Sequence, residues 1–252
     1  MDVKGLAAIV TGGGSGMGAT TARALAKAGA KVAVLDINEE GVKRVAEEIG
    51  GLGFRCDVTS AEQAEAVMAE AREKHGPARV LVNCAGVAPA KRIVGRNGPM
   101  PLEDFRKAVE INLVGSFNML RLAAAEMLGA EPVNEDGERG LIVNTASIAA
   151  GEGQLGQVAY AASKAGVVGM MLPAAREFAK SGVRVMTIAP GLFATPMLLN
   201  MPEEVQENLA NQVPFPKRFG KEEEFSSLVM HILANPMLNA DNIRLDGGMR
   251  MQ

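Results

Sequence analysis

Between an apolar run and an alanine-rich segment, the chain reads Thr11-Gly12-Gly13-Gly14-Ser15-Gly16-Met17-Gly18. Leu6-Ala-Ala-Ile-Val ahead of it reads as a buried strand. Residues 19–28 behind it read as a helix ended by Gly29, and Val32-Ala-Val-Leu-Asp36 as a second strand. Strand, tight turn, helix and strand make a parallel pair joined by a right-handed crossover. Glycines at Gly12, Gly16 and Gly18 let backbone approach a pyrophosphate, for which the helix N-terminus supplies amide donors and a partial positive charge. A glycine motif alone is weak. Its place between a strand and a helix gives this one its weight.

Asp36 ends the second strand, eighteen residues after Gly18. A carboxylate there accepts from adenosine ribose hydroxyls and repels a 2′-phosphate. Gly14, Ser15 and Ile37 bring no cation to offset that repulsion, so the expected cofactor is NAD and not NADP.

The same alternation continues down the chain. A helix over 39–50 leads to a strand over 53–58, where Asp57 either accepts from an adenine amino group or belongs to the capping region of a helix over 60–75. A strand over 80–86 closes with small residues. The loop 87–102 carries Lys91, Arg92 and Arg96, which either reach a phosphorylated substrate or sit in solvent. A long helix over 102–128 contains Asn112, a polar residue that bonds outward through water or to the next helix. The acidic insert 129–140 reads as an exposed hairpin or loop. Strands follow at 141–146, 183–189 and 243–248, with a helix at 222–234. Residues 191–219 are rich in proline and apolar side chains, which suits a flap over a cleft or a dimer contact. Such alternation specifies one doubly wound parallel α/β sheet of order 3-2-1-4-5-6-7, with chemistry at the C-terminal strand ends. The cofactor half is expected over about 1–140 and the catalytic half over 141–252.

At 252 residues one core suffices, and a net charge of −3 offers no basic field for nucleic acid. No apolar run reaches the roughly 18–20 residues that span a bilayer, so no membrane partner is expected. The first residues run directly into a strand, so no signal or transit segment is expected. Cys56 and Cys84 end strands three spacings apart in this order, about 14 Å at ~4.8 Å each. That exceeds disulfide reach and predicts free thiols in a reducing, cytoplasmic setting. His75 and His231 read as helix-surface residues, and two distant histidines predict no metal site.

Ser147 closes the strand Leu141-Ile-Val-Asn-Thr-Ala. After a glycine-rich link comes Tyr160-Ala-Ala-Ser-Lys164, opening a helix. Positions i and i+4 share a helix face, so the phenol and the ammonium point into one cleft. A nearby cation favours phenolate, so Lys164 is expected to lower the Tyr160 pKa, while the Ser147 hydroxyl holds a substrate oxygen. Together they read as an acid/base device for a carbonyl–alcohol pair. Tyr-x-x-x-Lys occurs by chance in many helices, but Tyr160 is the chain's one tyrosine and the nucleotide turn stands upstream.

The set Thr11-Gly-x-x-x-Gly-x-Gly, Asn83-Cys-Ala-Gly86, Asn112, Ser147, Tyr160-x-x-x-Lys164 and Pro190-Gly191 resembles the short-chain dehydrogenase/reductase family over essentially the whole chain. Asn144-Thr-Ala-Ser, Glu152-Gly-Gln-Leu-Gly-Gln-Val-Ala-Tyr, Arg184-Val-Met-Thr-Ile-Ala-Pro-Gly-Leu-Phe and Gln212-Val-Pro-Phe-Pro-Lys-Arg resemble its type II 3-hydroxyacyl-CoA dehydrogenase branch. The resemblance implies a Rossmann-type single domain that interconverts 3-hydroxyacyl-CoA and 3-oxoacyl-CoA. It implies that Ser147 orients the substrate oxygen, Tyr160 moves the proton, and Lys164 tunes the phenol and holds the nicotinamide ribose. Asn112 would support a water between Lys164 and solvent. Ser15, Met17, Asp36, Asp57, Val58, Cys84, Phe193 and Thr195 match cofactor contacts, and Gln154 joins Ser147 and Tyr160 at the substrate. It also implies a homotetramer. The branch usually has a large aromatic where this chain has Gly151. Alternatives are a broader secondary-alcohol, steroid or 3-oxoacyl-ACP oxidoreductase, and a scaffold subunit.

Overall fold

The computed structural model describes residues 1–195, 198 and 202–251. One parallel sheet is built from β1 (Ala7–Thr11), β2 (Lys31–Asp36), β3 (Leu52–Arg55), β4 (Ala78–Asn83), β5 (Gly140–Thr145), β6 (Val183–Pro190) and β7 (Asn242–Leu245). Numbered this way, the strands lie side by side as 3-2-1-4-5-6-7, the expected order. Helices α1 (Gly16–Lys27), α2 (Glu39–Ile49) and α9 (Glu222–Ala234) cover one face, over Val10, Val34, Val82 and Val143. Helices α3 (Ala61–His75), α5 (Gly115–Leu128) and α7 (Val158–Phe178) cover the other, over Ile9, Leu35, Leu81 and Ile142. Successive strand residues face opposite layers, and both layers are covered, so the central strands are largely apolar on both sides. Short pieces among the described residues add to the expected set: a small antiparallel pairing of Val94–Gly95 with Gly98–Pro99, α4 (Leu102–Val109) with its own end at Val109, α6 (Ala149–Glu152) in the glycine-rich link, a 3-10 turn at Ala179–Ser181, and α8 (Glu203–Asn211). Residues 196, 197 and 199–201 of the expected flap lie outside the described residues.

Four expectations need correction. The third strand stops at Arg55, so Cys56, Asp57 and Val58 lie in the link to α3. The 102–128 helix is interrupted by a π turn over Glu110–Val114, where the Gly115 amide reaches back to the Glu110 carbonyl. The Ser116 hydroxyl takes the Asn112 carbonyl instead, at 2.7 Å, and that side-chain bond supports the extra residue in the turn. The insert 129–140 is not wholly exposed. Glu138 is 4% exposed and accepts from Arg184 Nε at 2.7 Å. Arg184 Nη1 also donates to the carbonyls of Ile232 and Leu238, fastening the end of α9 to β6. Finally, Val158–Ser181 is a 24-residue helical stretch with an 18-residue window of mean hydropathy 1.3, long and apolar enough by length and composition to cross a membrane. Val167, Met171, Ala175 and Phe178 supply the apolar content because they pack into the protein interior.

Candidate active site

The glycine turn between β1 and α1 closes by contacts that admit no side chain. A Cβ on Gly18 would lie 2.2 Å from the Gly12 carbonyl oxygen, and one on Gly12 would lie 2.6 Å from the Ala85 amide. Gly12 also has φ +63°, the left-handed region that glycine adopts without strain. Ser15 is the N-cap of α1, but its side chain makes no capping bond. The first-turn amides at Gly16, Met17 and Gly18 are therefore not capped by it, and with the helix dipole behind them they suit an anion. Asp36 stands at the end of β2. Its Oδ2 accepts from the Gly14 amide and its Oδ1 from the Asn38 amide, each at 3.0 Å. The donors, the glycine cradle and this carboxylate fit a dinucleotide.

The expectation that no cation stands at this end holds for Gly14, Ser15 and Ile37 but not for the folded neighbourhood. Arg44 reaches back from α2 and donates Nη2 to the Gly14 carbonyl at 3.0 Å. Further along the rim, Asp57 Oδ1 accepts from the Thr59 amide and hydroxyl at 2.9 and 2.8 Å, shaping the entry to α3. The capping itself falls to Ser60, whose Oγ accepts from the Gln63 amide. Val58 is buried, and its carbonyl accepts from Asn118 Nδ2 at 2.8 Å.

β5 ends at Thr145, and α7 returns over it with Tyr160, Ser163 and Lys164 on its first turns. Lys164 is 5% exposed and donates Nζ to the Thr145 carbonyl at 2.7 Å. Burial pulls its pKa down to about 8, with Cys84 opposing. Burial also pushes the Tyr160 phenol above its ordinary value, and its hydrogen bond with Ser147 pulls the other way. Here the direction differs from the expectation: desolvation of the phenol dominates and raises its pKa. At neutral pH the phenol is a proton donor, already bonded to the serine expected to hold a carbonyl oxygen. Ser147 Oγ is itself placed by the Ala149 amide at 3.1 Å, on α6.

Asn112 is fully buried. Its Oδ1 accepts from the Val87 amide at 2.8 Å, and its Nδ2 donates to the Val87 carbonyl and to Ser163 Oγ, each at 2.9 Å. It thus joins the segment after β4 to α7. Gly86 makes the junction possible, since a Cβ there would lie 2.9 Å from Asn112 Oδ1 and 3.4 Å from Lys164 Nζ. Cys84 is held by Thr145, whose hydroxyl donates to Sγ at 3.6 Å, and burial pushes the thiol to about 11. Thr11 Oγ1 accepts from the Cys84 and Ala85 amides at 3.2 Å, fixing this strand end against β1. Phe193 is buried and bridges Gly220, and its carbonyl accepts from the Thr195 amide at 2.7 Å.

The fold therefore brings Ser147, Tyr160, Lys164 and Cys84 to one cleft and places Asn112 behind them. Gln154 stands apart in the exposed turn before α7. Lys91 is taken by an ion pair with Asp104. Gly151 faces open space, where a Cβ would meet nothing within 4 Å. Sequence reasoning missed Thr145, Ser163, Val87 and Arg44. The two backbone carbonyls among these contacts carry no signal in residue type, whereas Ser163 stands inside the Tyr-x-x-x-Lys spacing.

The chain matches the short chain dehydrogenase family over residues 6–206. It is 49% identical over 254 residues to 3-hydroxyacyl-CoA dehydrogenase type-2 of Homo sapiens, covering 99% of this chain and 97% of that protein. It is 47% identical over 253 residues to the protein of the same name in Drosophila melanogaster, covering 99% of each. The crystal structure of 3-hydroxyacyl-CoA dehydrogenase type-2 from Mycobacterium avium superposes with a TM-score of 0.94 at 41% identity, over 98% of this chain and 97% of that one. With the glycine turn and the buried Tyr160–Lys164 cleft on the same sheet, these likenesses make the chain an oxidoreductase that belongs to the short-chain dehydrogenase family.

Proposed function

We propose that the protein is an NAD-dependent oxidoreductase that interconverts 3-hydroxyacyl-CoA and 3-oxoacyl-CoA. The observation that carries the substrate class is identity near one half, over almost the whole chain, with proteins named 3-hydroxyacyl-CoA dehydrogenase type-2. Asp36 supports NAD through its charge at the ribose end. The dinucleotide supplies the hydride donor or acceptor when bound. The uncapped amides of Gly16, Met17 and Gly18 with Ser15, then Asp36, Asp57, Val58, Cys84, Phe193, Thr195 and Lys164, would hold it.

In the reducing direction Ser147 orients the substrate oxygen and the neutral Tyr160 phenol gives it a proton. In the oxidising direction Tyr160 takes the hydroxyl proton, and the buried Lys164 charge stabilises the resulting phenolate. Asn112 keeps Val87 and Ser163 in place beside that pair and would support the water between Lys164 and solvent. With Lys91 engaged by Asp104, Arg92 and Arg96 on the exposed loop are the cations that would meet the coenzyme A phosphates. The half-exposed Val114, Phe117, Val158 and Leu172 support a homotetramer in which these helices pair between copies. Free thiols at Cys56 and Cys84 support a reducing, cytoplasmic compartment.

Initial rates with acetoacetyl-CoA and NADH, beside the same thioester with NADPH and a small ketone with NADH, test the reading. Turnover restricted to NADH and the thioester is expected. A ketone or steroid turned over faster than the thioester would favour a broader secondary-alcohol oxidoreductase, the second reading, for which the open space at Gly151 leaves room.

A further inference from the structure

We infer that Arg44 is a cofactor-specificity residue, a guanidinium held at the adenosine-ribose end of the glycine turn that would take a 2′-phosphate if Asp36 did not repel it. The inference rests on the dinucleotide reading above and adds to it a side chain that the glycine motif does not contain.

Carboxylate and guanidinium meet on one residue. The Gly14 amide donates to Asp36 Oδ2 at 3.0 Å, and the Gly14 carbonyl accepts from Arg44 Nη2 at 3.0 Å. Local packing explains the reach. A Cβ on Gly41 would lie 2.8 Å from the Gly14 carbonyl oxygen, so the first turn of α2 rests directly on the glycine turn. Arg44 follows Gly41 by three residues, on the same helix face, and its side chain continues over that carbonyl.

Arg44 has donors to spare. A guanidinium carries five N–H groups, and a single neutral carbonyl engages little of that capacity. Its one ion-pair partner among the described residues, Glu48, stands 3.9 Å from Nε. The same Glu48 is held by Arg23 at 2.5 Å through its other oxygen. Arg55 is a second cation in the region, paired in register with Asp36, but its charge acts on Glu39, whose carboxyl is pulled below its ordinary value chiefly by Lys43 and in smaller part by Arg55. Of the two, only Arg44 is bonded to the glycine turn.

Cofactor choice at this end is then a difference between two opposing charges, a repulsive carboxylate and an attractive guanidinium, in which the carboxylate prevails. Removing Asp36 alone should hand a 2′-phosphate to Arg44.

Fluorescence titration of the full chain with NADH and with NADPH, without substrate, reads this directly, because the two ligands differ only by the 2′-phosphate. Asp36→Asn should lower the ratio of the NADPH Kd to the NADH Kd by about tenfold or more. Adding Arg44→Ala to that variant should raise the ratio again by about fivefold, whereas adding Arg55→Ala should leave it low. NADH binding by Asp36→Asn reports that the pocket is folded, and Asp36→Ser repeats the series should asparagine disturb it. Equal ratios with and without Arg44, or an equal loss with Arg55→Ala, would overturn the inference while leaving the dinucleotide reading intact. Failure of the unmodified protein to bind NADH would overturn both.

Discussion

Replacing Lys164 with methionine should change how the protein's stability responds to alkali. The ammonium is 5% exposed, and burial pulls its pKa from 10.5 to about 8. Between those two values the unfolded chain binds a proton that the folded chain has released, so stability rises with pH. The cost of burying the charge is therefore present in full below about pH 8 and is relieved as pH approaches 10.5. At about 1.4 kcal/mol per pH unit the gap is worth about 3 kcal/mol. Other groups titrate in the same range with the opposite sign. The thiols of Cys56 and Cys84, both pushed up to about 11, and the Tyr160 phenol lose stability as pH rises through the alkaline range. They are present in both proteins, so subtracting the variant from the wild type isolates the lysine. Methionine retains most of the aliphatic stem, and loss of the bond to the Thr145 carbonyl enters mainly as an offset. Urea unfolding of both proteins at pH 7.5, 9 and 10.5 gives the numbers. The wild-type advantage should grow by about 3 kcal/mol across that range. A difference that stays constant within about 1 kcal/mol would refute the assignment of a buried, destabilised ammonium to Lys164.

Tyr160→Phe removes the proton donor and leaves the ring, so kcat should fall by about 10²–10⁴ while circular dichroism and the melting temperature stay close to wild type. Glu138→Gln leaves the Arg184 guanidinium buried without its counter-charge, which should cost about 3–5 kcal/mol in urea unfolding and lower Tm by roughly 6–20 °C. Gly18→Ala drives a methyl group against the Gly12 carbonyl and should abolish NADH binding in a fluorescence titration; saturable binding with the wild-type Kd would contradict the closed turn.

The sheet order was legible because it depends on short-range signals. Apolar runs such as Val32–Leu35 and Leu141–Val143, separated by helical stretches, specify parallel strands, and crossover handedness leaves few ways to arrange them. Tyr160 and Lys164 were legible for the same reason, since four residues of helix place them together. What the spacing did not reveal is where each polar group finds its partner, because partners meet only when the sheet closes. Asn112 stood out as a polar residue in a helix, yet its bonds to Val87 and Ser163 join segments 25 and 51 residues away. Arg184 carried a signal that could have been used. A charged residue within the fully buried run Val183-Arg-Val-Met requires a counter-charge, and the acidic insert 129–140 offered Glu131, Glu135, Asp136 and Glu138. The insert reads as exposed only when it is considered without that demand. The sign of the Tyr160 shift failed for a related reason. Spacing shows that a cation is near, but desolvation belongs to the fold, and the layers that bury Lys164 also bury the phenol. Both groups are displaced toward their neutral forms, the arrangement that makes proton transfer between phenol and substrate oxygen respond to whatever charge enters the cleft.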